Sequence, residues 1–165
     1  RGHARKIAII NLSASVANVD KTKPKINVNG LFSGLFYQHG DQWSVFELLN
    51  HQIPSVHDLL AFDTIMISGS TYSVNQMHPN MKILADNIKE ALALSQTLKV
   101  VGICFGHQLI SHIFGAKVEK RQLIRGPEPI QMKPHHLGEL PFLDELYSTQ
   151  PLTLKPYEFH SDYVV

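Results

Sequence analysis

Five residues, Gly102-Ile103-Cys104-Phe105-Gly106, constrain this chain more than any other stretch of its sequence. The segment from Lys99 to Ile103 reads as a buried strand, and Leu109, Ile110, Ile113 and Phe114 recur on one helical face until Gly115 stops the helix. Cys104 therefore stands on a tight turn between strand and helix, the place that a nucleophile elbow gives to a reactive side chain. A glycine two positions to either side fits that turn, because a side chain there would crowd the neighbouring strand or helix. At the start of a helix, unpaired N–H groups and the positive end of the dipole favour a thiolate. Most free cysteines are small buried hydrophobes; the flanking glycines turn the reading toward chemistry.

The surrounding sequence supplies the frame for such an elbow. Ile7 to Leu12 reads as a short apolar strand, and Ser13 to Asn29, with Lys21, Lys23 and Lys25, as an exposed loop closed by Gly30. Leu31 to Tyr37 suits a helix, Trp43 to Leu49 a second strand, and Thr64 to Ser68 a third, ending in Gly69-Ser70-Thr71. A glycine at that end lets the backbone turn sharply and point its N–H groups outward. Met81, Leu84, Ile88, Ala91 and Leu92 recur at helical spacing between Met81 and Ser95. Beyond Gly115 the pattern changes to short strands at Lys117–Lys120, Pro129–Lys133 and Thr153–Lys155. Alternating strands and helices predict an α/β sandwich with a mostly parallel sheet whose sites lie at the carboxyl ends of the strands, where Gly69 and Cys104 both fall. The 165 residues predict one domain, 1–165, with residues 1–5 left outside the fold.

Composition removes several classes of function. Fifteen Lys and Arg against fourteen Asp and Glu leave a net charge of +1, no electrostatic footprint for nucleic acid. A hydrophobic fraction of 44% and a charged fraction of 18% describe a globular chain with no membrane partner. One cysteine excludes an internal disulfide and makes the cytoplasm the default location. Ten histidines invite a metal, but the adjacent pair His135-His136 would diverge on a strand and no second cysteine exists, so no metal is expected. Gly69-Ser70-Thr71 lacks the Gly-Lys-Ser/Thr that grips a nucleotide phosphate, and no cofactor is expected.

Val101-Gly102-Ile103-Cys104-Phe105-Gly106-His107-Gln108-Leu109-Ile110 resembles the nucleophile motif of class I glutamine amidotransferases. Phe62 to Ser70 resembles the oxyanion strand of the same family, where Gly-Gly is commoner than the Gly69-Ser70 seen here. The resemblance implies a flavodoxin-like three-layer sandwich and a thiolate that attacks the side-chain amide of glutamine or another γ-glutamyl compound. It makes Cys104 the nucleophile and the backbone N–H groups of Ser70 and Phe105 the oxyanion donors. It also places Gly69 and Gln108 beside the substrate, Gln108 lying one helical turn beyond Cys104. Glu158 to Val164 resembles the family's His-x-Asp-x-Val segment, which implies that His160 and the backbone of Ser161 and Asp162 hold the glutamyl carboxylate.

The family's catalytic His-Pro-Glu has no counterpart here, since no His-x-Glu occurs in the sequence. His78-Pro79-Asn80 precedes Cys104 and reads as a helix start. The catalytic His and Glu are expected beyond Val165, together with the last strand of the sheet, which predicts an exposed sheet edge. The resemblance runs from about Phe32 to Val165 and is nearest to the stand-alone branch that includes cytosolic γ-glutamyl peptidases; partnership with a synthetase subunit stays open. Two other readings remain: a family member that binds a ligand or partner without turnover, and a related cysteine protein of the stress-protease or redox-sensor kind, against which Gln108 argues.

Overall fold

The computed structural model describes residues 4–13, 28–127, 130–131, 153–154 and 157–165. Most of the loop expected at Ser13–Asn29, the pair His135-His136, and parts of the strands expected at Pro129–Lys133 and Thr153–Lys155 lie outside the described residues. The chain divides into two compact units, Arg1–Glu119 with Asp162–Val165, and Lys120–Ser161.

The first unit is built on a four-stranded parallel sheet of β1 (Lys6–Asn11), β2 (Gln42–Glu47), β3 (Thr64–Ile67) and β4 (Lys99–Gly102), in the order β2-β1-β3-β4. The inner strands β1 and β3 are short apolar runs buried on both faces, as parallel sheets favour, whereas β2 and β4 are more exposed. Side chains alternate between the faces with period two. Ile7, Ile9 and Met66 pack with Phe32 of α1 (Val28–Phe36) on one side. Ala8, Ile10, Leu12, Ile65 and Ile67 pack on the other side with the buried residues of α2 (Val56–Leu60), α3 (Pro79–Leu94) and α4 (Phe105–Ile113). This is the three-layer α/β sandwich that the sequence predicts.

The helices follow from local chemistry. His78 caps α3 by accepting from Asn80 N, and Pro79 occupies the first turn, as read from His78-Pro79-Asn80. The apolar stripe Met81, Leu84, Ile88 and Ala91 is buried, with Leu92 partly so. The helix α2 goes unread in the sequence: Ser55 caps it in a reciprocal box with Asp58, and the Ser-x-x-Asp spacing is its one advance sign. The strand expected at Trp43–Leu49 ends at Glu47, where the chain tightens into a 3₁₀ turn over Leu48–Asn50 that buries Leu48. Phe114, expected on the buried face of α4, is 71% exposed. The helix ends at Ile113, so Phe114 is the capping residue and has left the packed face, which Phe105 and Leu109 fill.

After α4 the chain enters β5 (Val118–Pro127), longer than the expected Lys117–Lys120, and this strand pairs with β8 (Tyr157–Val164). In the second unit β6 (Ile130–Gln131) pairs antiparallel with β7 (Thr153–Leu154). Among the described residues no helix is long and apolar enough to cross a membrane.

Candidate active site

The turn between β4 and α4 has the backbone that its sequence demands. Ile103 N donates to Ile67 O at 3.0 Å, extending the β3–β4 ladder to the last residue before Cys104. Gly106 N then donates to Ile103 O at 3.0 Å and Gln108 N to Cys104 O at 3.2 Å, so the helix begins at once. Between these bonds Cys104 is forced to φ 55°, ψ −112°, a positive φ that costs a side-chain-bearing residue on the order of 1–3 kcal/mol.

The two flanking glycines explain how strand and helix come so close. A Cβ on Gly102 would lie 2.3 Å from the carbonyl carbon of Gly106, and one on Gly106 would lie 2.4 Å from Ile67 O. Both obstacles are backbone atoms, so no side-chain rearrangement relieves them. The crowding expected at these positions is thus present, with β4 and α4 on one side and β3 on the other.

Cys104 is exposed, and its side chain stands beside the loop that follows β3. A Cβ on Gly69 would meet Cys104 Cβ at 3.3 Å and Cys104 Sγ at 3.9 Å. That loop is stitched to the end of β1. Ser68 Oγ donates to Gly69 O and accepts from Leu12 N, both at 2.9 Å, and Ser70 Oγ donates to Leu12 O at 3.0 Å while accepting from Tyr72 N at 3.3 Å. The serine at 70 therefore has a use that glycine would not supply.

Further along the loop, Ser73 caps the 3₁₀ turn Val74–Gln76, and its hydroxyl donates to Asp162 Oδ2 at 2.5 Å. Asn75 Nδ2 donates to Val118 O at 3.0 Å. Gln108 is 6% exposed, and its Nε2 donates to Asp162 O at 3.1 Å. An exposed helix glutamine is the ordinary expectation at such a position; here the carboxamide is inside the protein.

Of the residues singled out in the sequence, Gly69, Ser70, Cys104, Phe105, Gln108 and Asp162 belong to the first unit, whereas His160 and Ser161, both half-buried, belong to the second. Cys104 meets Gly69, and Gln108 meets Asp162. Sequence reasoning missed Ser68 and Ser73. Ser73 carries the one signal that could have found it, a serine directly before a helical turn. Among the described residues no three His, Cys, Asp or Glu side chains gather as metal ligands. Cys104 is thus an exposed thiol at the start of α4, beside the loop that follows β3.

Comparison with known proteins gives a consistent picture. The class I glutamine amidotransferase family profile matches residues 39–165. Gamma-glutamyl peptidase 4 of Arabidopsis thaliana is 35% identical over 100 residues, covering 61% of this chain and 38% of the relative. One subunit of the glutamine-hydrolysing GMP synthase from Sulfolobus acidocaldarius is 32% identical over 115 residues, covering 67% of this chain and 53% of the relative. The chain thus spans well under two thirds of the curated relatives it matches. Among solved structures, a glutamine amido transferase from Methylobacillus flagellatus superposes with a TM-score of 0.68 at 20% identity, over 99% of this chain and 58% of the other. A glutamine amidotransferase from Thermotoga maritima gives 0.67 at 15% identity, over 99% and 64%.

Proposed function

The chain belongs to the class I glutamine amidotransferase family, and from that premise we propose that it forms the thiol-bearing part of an enzyme that hydrolyses a γ-glutamyl amide. Cys104 is the nucleophile in this reading. Its thiolate adds to the amide carbon, a C–S bond forms, and the carbonyl electrons move onto oxygen. The main-chain N–H groups of Ser70 and Phe105 receive that charge, each donor of this kind being worth roughly 3–4 kcal/mol in such sites. Protonation of the nitrogen lets ammonia, or the amine of a peptide, leave. Water then cleaves the thioester, releasing the γ-carboxylate and returning the thiol.

What supports the reading is one conjunction: the chain's lone cysteine is exposed, held at φ 55° at the start of α4, and faces Gly69 of the loop after β3. Gly69 keeps that face open, and Gln108 with His160, Ser161 and Asp162 is assigned to the amino-acid end of the substrate on the strength of the motif. The plant relatives' name favours γ-glutamyl peptides as substrates, and the GMP synthase relative favours a synthetase partner that accepts ammonia. A cytoplasmic setting suits a thiol that must stay reduced.

The sequence holds no His-x-Glu to carry the proton between thiol and leaving nitrogen. A second reading is that the chain binds a γ-glutamyl compound without turning it over. Ammonia release from glutamine and γ-glutamyl dipeptides, measured with this chain and with a form extended beyond Val165, decides between them. Turnover abolished by Cys104→Ala supports the hydrolase. Ligand binding by both forms with release by neither supports the binder, and release by Cys104→Ala overturns the assignment of Cys104.

A further inference from the structure

The two proposed oxyanion donors sit on separate pieces of chain. Ser70 lies on the loop after β3 and Phe105 at the start of α4, and an oxyanion hole works only if such donors are held about 2.7–3.1 Å from one oxygen. Something must fix the distance between loop and helix. The loop's near end is tied to β1 through Ser68 and Ser70, but these bonds reach Leu12 and not α4.

Resting on the reading just given, we propose that Asp162 is a positioning residue that holds the oxyanion loop against α4. Its carboxylate takes the hydroxyl of Ser73, 89 residues away, and its carbonyl takes the carboxamide of Gln108, 54 residues away. One residue at the end of β8 thus grips the far end of the loop with its side chain and the helix with its main chain. Asp162 is only 8% exposed and Gln108 6%, so the bond between them forms where water competes weakly, while the bond to the half-buried Ser73 is partly buried. A hydrogen bond to a carboxylate is about twice as strong as a neutral one, which suits a clamp. Between the Ser70 and Ser73 anchors lie only Thr71 and Tyr72, and Tyr72 N itself donates to Ser70 Oγ. Asp162 therefore acts through the loop, and its side chain does not itself need to touch substrate.

The test reads the loop and the thiol separately. Amide hydrogen exchange is measured for residues 69–76 and for α3 in Asp162→Ala, Ser73→Ala, the double variant and Asp162→Asn. Cys104 is alkylated in each by a γ-glutamyl chloromethyl ketone, whose carbonyl oxygen calls on the same two amides, and by iodoacetamide, which does not. Loss of the clamp is expected to speed exchange at 69–76 and to slow the ketone relative to iodoacetamide, each on the order of tenfold, a part of the 10²–10³ that losing a donor outright would cost. The double variant is expected to be no worse than either single one, and Asp162→Asn, which keeps an acceptor for Ser73, to recover most of the ketone rate. Unchanged exchange at 69–76, additive single variants, or equal losses in α3 and with both reagents would overturn the proposal. If the unsubstituted protein shows no preference for the ketone, the hydrolase reading fails, and exchange alone decides whether Asp162 holds the loop.

Discussion

Three positions show how much one residue's conformation decides. Cys104 keeps a positive φ although it bears a side chain, and glycine would adopt that backbone without penalty. Cys104→Gly is therefore expected to be more stable than Cys104→Ala by about 1 kcal/mol in denaturant unfolding, once glycine's greater freedom in the unfolded chain is deducted from the strain relieved. Equal stability would mean the elbow is unstrained. Glycines separate in the same way. Gly106→Ala would push a Cβ to 2.4 Å from Ile67 O and is expected to cost about 3 kcal/mol or more, whereas nothing lies within 4 Å of a Cβ on Gly34 in α1. Gly34→Ala is expected to stabilise by about 0.5–1 kcal/mol, and thermal unfolding of the two variants should move in opposite directions. Residues 102–106 were legible in the sequence because the elbow is a local device, written in adjacent positions. Ser73's partner was not, since a serine before a helical turn announces a cap and not a carboxylate 89 residues away.

Elements were legible where their reason is internal to them. The four sheet strands and α3 declare themselves through apolar runs and a helical stripe; their ends do not, because an end is set by what the chain meets next. Leu48 turns into the core and closes β2, and Phe114 caps α4 instead of continuing it. The links between elements are less visible still. Arg5, just before β1, donates to both carboxylate oxygens of Asp41, just before β2, and to Phe36 O at the end of α1. The guanidinium bonds hold the Asp41 pKa down to about 2 from its ordinary 3.8. A carboxylate favoured in the folded state stabilises fully above its unfolded pKa and loses that contribution as pH falls toward its folded one. The denaturant midpoint is accordingly expected to drop more steeply between about pH 4 and pH 2 in the unsubstituted protein than in Asp41→Asn, and parallel curves would mean that the Asp41 carboxylate does not stabilise the fold. The short helix α2 offers a plainer case: Ser55→Ala removes the hydroxyl that accepts from Asp58 N, leaves the main-chain half of the capping box in place, and is expected to cost about 1 kcal/mol.

At the scale of the whole chain, a parallel sheet was legible from alternating strands and helices, but its order was not, because hydrophobic runs carry no record of their neighbours. The order β2-β1-β3-β4 puts the strand before Cys104 at one end of the described sheet. Met66 pairs in register with Val101, so Val101 continues the apolar face of Ile9 and Met66, yet it is 43% exposed, with Ile103 at 38%. An apolar strand in such a position offers both a greasy face and a row of backbone groups to another chain, and natural edges are usually guarded by a charge. Val101→Lys is expected to suppress heat-induced light scattering while leaving the unfolding midpoint nearly unchanged, since a half-exposed lysine can lay its stem on the sheet and keep its ammonium in water. The control is Leu94→Lys, which removes an apolar side chain that is more exposed, 65%, but belongs to the last residue of α3 and not to a strand. If association runs through the open strand, the lysine at 101 protects and the lysine at 94 does little. Equal protection by both would mean that exposed apolar surface in general drives association, and that the β4 edge has no special part in it.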